Sequence, residues 1–338
     1  MNSSNLKTLL TEYEKKRMKA IYDAEQRKLE LYEKEPKLQK IDDELSKEAI
    51  AVSRKMITLK DPSLLKELNK KIDTLKEEKK QIIISLGKDE NFLNPQYECS
   101  DCLDKGYTVE SHETAMCHCL KQRLFDLEYN KSNISNLEKE NFDNFSFDVY
   151  SDDMDENKYH SKLSPRKNME FIYKLSNKFI EQFDNPEQKN LLFTGNTGLG
   201  KSFLSSCIAN EILKKGKTVL YQTAPVMLDT IMDYRFGKMN TSKDIYDNLL
   251  NVDLLIIDDL GTECINNMKF SELFNIINTR LLNNNNKITK TIISTNLSLD
   301  NLFSIYDERI VSRLVGNYDI CYFFGDDIRF KKNKKSEN

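Results

Sequence analysis

The residues best suited to chemistry in this chain of 338 residues form a glycine-rich run in its C-terminal half. The run consists of Gly195, Asn196, Thr197, Gly198, Leu199, Gly200, Lys201 and Ser202, and it matches the pattern G-x-x-x-x-G-K-[ST] in full. Glycines allow backbone N–H groups to surround phosphate oxygens, the lysine neutralises the β- and γ-phosphates, and the serine hydroxyl is a ligand of Mg²⁺. The run therefore predicts a binding site for ATP and Mg²⁺, and the alternative is a chance glycine-rich turn.

Two adjacent carboxylates form the second group. An apolar run begins at Leu254 and ends at Asp258 and Asp259, which is the form of a Walker B segment. In that interpretation Asp258 holds Mg²⁺ and Asp259 polarises the attacking water as a general base. The alternative is a surface turn with two solvated aspartates.

Short apolar runs that alternate with helical patterns must position both groups. The runs cover residues 190–194, 218–222, 254–258, 291–295 and 318–324. Near-continuous apolar runs are typical of parallel strands covered on both faces, and their alternation with helices indicates a doubly wound α/β domain. The glycine-rich run follows the first of these strands and precedes a helical pattern from Phe203 to Lys214, which is the setting that the motif requires.

Three further segments of this region resemble a known family. Ile293, Ser294, Thr295 and Asn296 end the fourth run, residues 308–314 have the sequence Glu-Arg-Ile-Val-Ser-Arg-Leu, and residues 325–329 have the sequence Gly-Asp-Asp-Ile-Arg. Together with the glycine-rich run and the two aspartates, they resemble the AAA+ ATPases, and within them the DnaC/DnaI helicase loaders and their relatives, the IstB transposition helpers. The resemblance covers about residues 165–330, roughly half of the chain.

The resemblance assigns roles to single residues. It implies that Asn296 orients the water near the γ-phosphate, that Arg329 is the sensor 2 arginine, and that residues 142–145 (Phe-Asp-Asn-Phe) line the adenine pocket. It also implies that Arg313 is an arginine finger that reaches the ATP of a neighbouring subunit, with Arg309 beside it. An arginine donated in this way stabilises the transition-state charge only when subunits pack side by side. The alternative for both arginines is an ordinary ion pair with an acidic neighbour on the helix surface.

Two departures from the common AAA+ pattern accompany the resemblance. Most members have glutamate as the second acidic residue, whereas Asp259 is one methylene shorter, so we expect slow or partner-stimulated hydrolysis. The stretch after the last apolar run is too short for a helical lid, which the loaders also lack. The fold class expected is α/β: an AAA+ P-loop NTPase core, built as a parallel sheet with helices on both faces and no C-terminal lid, preceded by an α-helical coiled-coil segment and a small zinc-binding unit.

Four cysteines lie close together upstream of this domain. They are Cys99 and Cys102, followed after fourteen residues by Cys117 and Cys119. Two tight pairs of thiolates on a short segment can close a tetrahedral zinc site, and zinc binding would then supply most of the folding free energy of the segment. A histidine, His112 or His118, could replace one thiolate. The alternatives are ordinary reduced cysteines or a redox pair.

The first 90 residues carry a helical pattern. Leu65, Leu68, Ile72, Leu75 and Ile82 recur mostly at steps of three and four residues, with Lys and Glu between them. This spacing is typical of an amphipathic helix with a narrow apolar seam. We expect two or three long helices in a coiled coil that binds a partner protein, and the alternative is a solvated spacer or an oligomerisation stalk.

The expected organisation has five parts. They are a helical coiled coil (1–90), a four-cysteine zinc-binding unit (91–125), a linker or N-terminal strap (126–164), the AAA+ ATPase domain (165–332) and a disordered tail (333–338).

The stretch between the second and third apolar runs combines aromatic and cationic side chains. Tyr234, Arg235 and Phe236 are followed by Lys238. Aromatics that stack on bases beside cations that hold phosphates are typical of sequence-tolerant binding of single-stranded DNA, and the resembled loaders carry DNA-contacting helices at this place. The alternative is that aromatics at helical spacing belong to the core.

Bulk properties restrict the function further. The formal net charge of −3 excludes a global basic field for nucleic acid. No run of about 18 apolar residues and no leader pattern is found, so we expect a cytoplasmic protein without a membrane partner. The leading hypothesis is an ATP-hydrolysing DNA replication protein that loads or remodels the replicative ring helicase on single-stranded DNA and self-associates through its ATPase domain. The alternatives are an IstB-like transposition helper and a non-hydrolysing ATP-gated adaptor.

Overall fold

The computed structural model describes residues 3–58, 62–110, 113–128, 139–237, 243–264, 266–283 and 287–329. The chain forms two compact units. The helical unit comprises Thr8–Ala115, and the sheet unit comprises Met1–Lys7 together with Met116–Asn338.

The helical unit consists of long helices followed by a small hairpin. Its elements are α1 (Ser3–Lys34), α2 (Pro36–Thr58), α3 (Pro62–Ser85), β1 (Tyr107–Glu110) and β2 (Glu113–Met116), of which β1 and β2 pair. Helices α2 and α3 begin at prolines. The N–H of the first helical residue has no intrahelical acceptor, so proline, which lacks this N–H, is tolerated there. Leu31, Leu38 and Ile83 form a buried cluster, and α2 packs against α3. The side chains of Leu65 and Leu68 lie outside the described residues.

The sheet unit alternates helices and strands. Its elements are α4 (His118–Glu128), α5 (Glu156–Tyr159), α6 (Pro165–Glu181), β3 (Asn190–Thr194), α7 (Lys201–Lys214), β4 (Val219–Thr223), α8 (Ala224–Arg235), α9 (Lys243–Asn251), β5 (Leu254–Leu260), α10 (Asn267–Asn283), β6 (Lys290–Thr295), α11 (Leu299–Ile305), α12 (Glu308–Asn317) and β7 (Tyr318–Tyr322). The strands form one sheet in the order β4-β5-β6-β3-β7, and every neighbouring pair is parallel. The α/β fold class expected from the sequence is confirmed.

Alternation along β5 explains why helices cover both faces of the sheet. Leu255 and Ile257 belong to a core cluster with side chains from α8, α10 and α12, whereas Leu254 and Ile256 belong to a second cluster with side chains from α6 and α7. Successive side chains of a strand point to opposite faces, so an uninterrupted apolar run supplies both cores.

Strand ends differ from the sequence prediction where polar residues are involved. β5 continues to Leu260 and its register with β6 shifts between Ile257 and Leu260, so Asp258 and Asp259 lie within the strand and not at its end. β7 stops at Tyr322, two residues before the predicted end at Phe324. The shift in β5 is a local irregularity of the kind often found next to active sites.

Helix α4 packs within the sheet unit. Phe125 is part of the core cluster that contains Leu255. The Gln122 amide pairs with the edge strand β4, where its Oε1 accepts from Val219 N at 2.7 Å and its Nε2 donates to Val219 O at 3.0 Å. The amide thereby satisfies backbone groups that an edge strand leaves open. The predicted boundary at residue 125 falls inside this helix.

Residues 139–164, part of the predicted linker or strap, run along the same unit. Two 3-10 turns, Phe142–Asn144 and Phe147–Val149, precede α5. Tyr150 is buried in the core cluster of α6 and α7, and Phe145 packs against that cluster. Among the described helices, none combines the length and apolar content needed to cross a membrane.

Candidate nucleotide-binding site

The turn between β3 and α7, residues 195–202, has the backbone that a phosphate cradle needs. Gly195 and Gly198 have φ values of 139° and 74°, in the region that favours glycine. A Cβ on Gly195 would clash with the Phe323 carbonyl, and a Cβ on Gly198 would clash with the Asp327 carboxylate. Helix α7 then begins at Lys201, so its N-terminal N–H groups and its dipole face the turn.

Lys201 lies almost entirely inside this turn, with 6% of its surface exposed. Its Nζ donates to Gly195 O at 2.5 Å, to Asn196 O at 2.7 Å and to Asn296 Oδ1 at 2.7 Å. Burial lowers the pKa of the ammonium group to about 8, although nearby Asp259 and Asp258 oppose the shift. Asn296 ends up beside Lys201 because β6 and β3 are neighbours in register. The lysine is thus held by weak neutral acceptors, which phosphate oxygens can replace with stronger charge-assisted bonds.

Asp258 is fixed between the two strands that flank β5. Its Oδ2 accepts from the Tyr221 hydroxyl of β4 at 2.8 Å, and its Oδ1 accepts from the Ser294 hydroxyl of β6. Burial, with Asp258 nearby, raises the pKa of the Tyr221 phenol well above its usual value, so the phenol remains a donor. The Tyr221 hydroxyl also hydrogen-bonds Ser202. Tyr221 therefore connects the two predicted magnesium ligands.

Asp259 has a left-handed backbone, with φ 55°, which is uncommon for a residue with a side chain. Its N–H donates to Ser294 Oγ at 3.1 Å, and its carbonyl accepts from Thr262 Oγ1 at 2.8 Å. Burial and the charge of Asp258 raise the pKa of its carboxyl group, while Lys201 lowers it. A carboxylate with a raised pKa is a better general base near neutral pH than an ordinary surface aspartate.

Lys201 and Asp259 line a cleft of about 390 Å³, whereas Asp258 and Tyr221 are not among its walls. Its walls are Glu140, Thr197, Gly198, Leu199, Gly200, Lys201, Ser202, Phe203, Asp259, Asn296, Ile328 and Arg329. A smaller cavity of about 60 Å³ adjoins it at Gly200 and Phe203, and Asn144 and Phe145 line that cavity. Phe142 and Asp143, which resemble the same adenine-pocket stretch, are absent from the lining of both.

The three predicted arginines occupy different places. Arg329 lines the cleft and pairs with Asp327, with Nη2–Oδ2 at 2.6 Å. Arg309 and Arg313 are absent from the cleft walls formed by the described residues. Arg309 pairs with Asp307 through two contacts of 2.9 Å, which is the surface ion pair that the sequence left open as its alternative.

Within the part of the chain that the structure describes, the groups that contact Arg313 include no carboxylate. Its Nε donates to Asn278 Oδ1 at 2.7 Å, its Nη1 donates to Arg309 O at 3.1 Å, and its guanidinium lies 4.5 Å from the centre of the Phe274 ring. All these partners lie on α10 or α12. The charge of this arginine is therefore not neutralised by the contacts that orient it.

The residues predicted to contact DNA lie at the end of α8. Arg235 forms a bidentate pair with Glu272 at 2.8 and 3.2 Å and lies over the Tyr246 ring at 5.2 Å. Phe236 is 60% exposed, and Tyr234 is half-buried. Lys238 lies outside the described residues. The pair with Glu272 neutralises the charge expected of Arg235, so Phe236 is the more available of the described groups.

The four clustered cysteines have the spacing of a metal site. The Sγ atoms of Cys99, Cys102, Cys117 and Cys119 all lie within 4.8 Å of one another, and tetrahedral zinc–thiolate sites hold sulfur atoms about 3.8 Å apart. The Gly106 N–H donates to Cys102 Sγ at 3.3 Å. The cluster could hold a zinc ion. His118 is not among its ligand atoms, and His112 lies outside the described part of the chain.

Two contributors to the site escaped the sequence analysis. Tyr221 and Ser294 hold Asp258, yet both lie inside apolar runs that indicate only strands. The sequence did contain a signal for them: a hydroxyl group within an apolar run. A hydroxyl inside a strand that is buried on both faces needs a hydrogen-bond partner. Ser294 lies near the end of β6, two residues before Asn296, which follows the strand.

Comparison with protein families matches residues 153–336, slightly more than half of the chain, to the family described as IstB-like ATP binding protein. Among individual proteins, the chain is similar to the replicative helicase loader DnaC of Escherichia coli K12, with 28% identity over 158 residues that cover 46% of this chain and 62% of the relative. It is also similar to a protein of Sinorhizobium fredii named for an insertion sequence and for ATP binding, with 28% identity over 156 residues, 44% of this chain and 59% of the relative. The matched region thus spans less than two thirds of the length of these relatives.

Some solved structures contain parts that are similar to this chain. A crystal structure of the DnaC helicase loader has a TM-score of 0.41 and 25% identity, covering 50% of this chain and 95% of that chain. AMPPCP-bound DnaA from Aquifex aeolicus has a TM-score of 0.42 and 22% identity, covering 59% of this chain and 54% of that chain.

Proposed function

Since the chain belongs to the family of IstB-like ATP binding proteins, we propose that it binds Mg-ATP in the cleft beside Lys201 and hydrolyses it as an AAA+ ATPase. One observation carries the proposal. Lys201 Nζ lies within hydrogen-bond distance of two P-loop carbonyls and of Asn296, next to an Asp258 carboxylate fixed by two hydroxyl groups. The cation Lys201, the proposed metal ligand Asp258 and the proposed water-orienting residue Asn296 thus lie close together, in or just after three neighbouring strands of the sheet.

The chemistry follows from these positions. Lys201 exchanges backbone carbonyls for the β- and γ-phosphate oxygens, while Ser202 and Asp258 would hold Mg²⁺, which would supply positive charge beside the phosphates. Asp259 accepts a proton from the attacking water, and Asn296 orients that water. Arg329 leaves Asp327 for the phosphates as the sensor 2 group. Because Asp259 is shorter than glutamate, hydrolysis by one subunit alone is slow.

The remaining charge stabilisation comes from a neighbouring subunit. Arg313 lies outside its own cleft and is held without a carboxylate, so it is available to the ATP of the next molecule when ATPase domains pack side by side. An arginine supplied in trans raises phosphoryl-transfer rates by about 10³-fold or more. The rate of ATP hydrolysis would then depend on self-association of the ATPase domains.

The biological role proposed is loading or remodelling of the replicative ring helicase on single-stranded DNA in the cytoplasm. Relatives named as replicative helicase loaders favour this role, and Phe236 offers a stacking surface for a base. The test is co-purification with the replicative helicase of the same cell, with and without ATP. We expect ATP-dependent capture that is lost in Lys201→Ala and retained in Lys214→Ala. The helicase role is wrong if wild-type protein captures no helicase in either state.

A transposition helper is the second candidate, favoured by the family description and by the Sinorhizobium fredii relative. It uses the same ATPase residues, so only the partner separates the two roles. ATP-dependent capture of a transposase, with no capture of helicase, would favour it. Nucleotide binding without turnover under any condition would instead favour an ATP-gated adaptor.

We further propose that Cys99, Cys102, Cys117 and Cys119 bind structural zinc. Metal analysis of purified protein should give about one zinc ion per chain. Cys102→Ser should lower that content, and Cys264→Ser, which changes an exposed cysteine outside the cluster, should not. Full zinc content in Cys102→Ser would contradict the assignment.

A further inference from the structure

A buried carboxylate joins the turn after β5 to the start of helix α12. Glu263 is only 7% exposed. Its Oε2 accepts from Gly261 N at 2.8 Å, and its Oε1 accepts from the hydroxyl of Tyr306, which is 4% exposed. Neither the nucleotide-site motifs nor the comparisons assign a role to this pair.

One end of the link leads to the proposed general base. The Asp259 carbonyl accepts from the backbone N–H and the hydroxyl of Thr262, so the turn that follows Asp259 is closed by its own residues. Gly261 has φ 101° and no room for a Cβ, which would meet the Leu297 side chain. By holding the Gly261 N–H, Glu263 fixes the turn on which the left-handed backbone of Asp259 depends.

The other end leads to the arginines. Tyr306 is the C-cap of α11, and the next residue, Asp307, is the N-cap of α12. Arg309 and Arg313 follow on the first turns of that helix. Whatever moves the Tyr306 hydroxyl therefore moves the helix start that carries them.

The bond between the two ends is costly to break. Burial and the charge of Glu263 raise the pKa of the Tyr306 phenol, so the phenol keeps its proton and continues to donate. Separation would leave a buried carboxylate oxygen without one of its donors, and an unpaired buried charge is strongly unfavourable. The turn and the helix start therefore shift together.

We propose that Glu263 and Tyr306 are positioning residues that couple the nucleotide state of the cleft to the pose of Arg313 toward a neighbouring subunit. The inference rests on the proposed ATPase function with a trans-acting arginine. Displacement of the Asp259 turn, on binding or hydrolysis, is transmitted through the Glu263–Tyr306 bond to the N-terminus of α12. The orientation of Arg313 toward the neighbouring subunit thereby depends on the nucleotide bound in its own subunit.

The test is Tyr306→Phe in the full chain, with ATP hydrolysis per subunit measured against protein concentration, with and without oligothymidine. Displacing a catalytic group by about 1 Å costs up to about 100-fold in rate, so we expect the concentration-dependent kcat to fall about tenfold or more. The dissociation constant for Mg-ATP should stay near the wild-type value. Glu263→Gln keeps the side-chain volume and provides a second variant should Tyr306→Phe fold poorly.

The matched control is Tyr318→Phe. Tyr318 is buried in the same core cluster at the opposite end of α12, and its loss removes a buried hydroxyl without touching the link. In an Arg313→Ala background, Tyr306→Phe should cause no further loss, because the effect acts through that arginine.

The outcomes separate the two ideas. Wild-type stimulation that is lost in Arg313→Ala but unchanged in both Tyr306→Phe and Glu263→Gln overturns the coupling and leaves the ATPase proposal standing. Equal losses in Tyr306→Phe and Tyr318→Phe, or weaker Mg-ATP binding in both, also overturn it, since they indicate a purely structural role. Wild-type protein without concentration-dependent hydrolysis overturns the proposed trans mechanism and the coupling with it.

Discussion

The nucleotide cleft and the arginine face of α12 are built in opposite ways. In the cleft, each ion is fixed by groups from separate parts of the sheet: Lys201 by the P-loop and Asn296, and Asp258 by Tyr221 and Ser294. On α12, the guanidinium of Arg313 is held by a neutral amide and an aromatic ring of the neighbouring helix α10.

The difference indicates which of the two regions forms a complete binding site within one chain. Groups fixed from several strands are preorganised, so they stabilise phosphate charge with little rearrangement. A guanidinium with neutral partners at the surface can exchange them for a phosphate at small cost. The cleft is thus a complete binding site, and the arginine face is a contribution to a site on another molecule.

The largest effect is expected for Arg313→Ala. Loss of a trans-acting arginine should lower assembly-stimulated kcat by about 10³-fold, while the dissociation constant for Mg-ATP stays unchanged because the cleft does not contain it. Steady-state hydrolysis and calorimetry measure the two quantities. Asn278→Ala, which frees Arg313 from its resting bond, should hydrolyse near the wild-type rate. Normal hydrolysis by Arg313→Ala would remove the distinction between the two regions.

Lys201→Ala should affect the cleft side alone. The variant lacks the ammonium group that is proposed to bind the phosphate oxygens. Mg-ATP binding should therefore weaken by about 100-fold, which corresponds to about 3 kcal/mol of charge-assisted hydrogen bonding. Isothermal titration calorimetry measures the affinity. Lys214→Ala, at the far and exposed end of the same helix, is the control and should bind normally. Equal binding by both variants would place the nucleotide elsewhere.

Tyr221→Phe tests whether preorganisation of Asp258 matters. A hydrogen bond to a charged group contributes about 1.5–3 kcal/mol, so its loss should raise the Mg²⁺ concentration for half-maximal hydrolysis by about tenfold. Tyr318→Phe serves as the control for losing a buried phenol. An unchanged Mg²⁺ requirement would show that Asp258 needs no support from β4.

The smallest effect expected is a pH dependence of binding. Burial lowers the pKa of Lys201 to about 8, below its unfolded value, and a bound phosphate should raise it again. Below pH 8 the lysine is already charged; above it, binding must take up a proton, so affinity falls as pH rises. At pH 8.5 we expect about 0.75 proton taken up and about fourfold weaker binding than at pH 7. Calorimetry in buffers of different ionisation enthalpy checks this, and proton release would contradict it.

The sheet was predictable from sequence because its strands are local patterns. Apolar runs of strand length lie between helical patterns, and one of them, Asn190–Thr194, was placed to the residue. The glycine-rich turn is equally local, since its motif, its strand and its helix are consecutive. The predicted ends of some strands were wrong by a few residues. The end of β5 is an example, because the register shift near Asp258 depends on the neighbouring strand.

Contacts between distant residues were not predictable in the same way. Arg235 was expected to be free for phosphate, yet Glu272, on a helix much later in the chain, neutralises it. Tyr221, Ser294 and Glu263 have roles that appear only when strands and helices are side by side. Periodicity specifies which face of an element is buried, but it does not specify the partner that the element meets there.

Mixing two inactive variants tests most directly whether one chain supplies the cleft and its neighbour the arginine. Asp259→Asn retains Arg313 and binds nucleotide but lacks the general base, and Arg313→Ala retains the base and binds nucleotide but lacks the arginine. Hydrolysis should be near background for each alone and should reappear in the mixture, with a maximum at an intermediate ratio. A mixture no more active than its components, although both variants fold and associate, would contradict a shared active site.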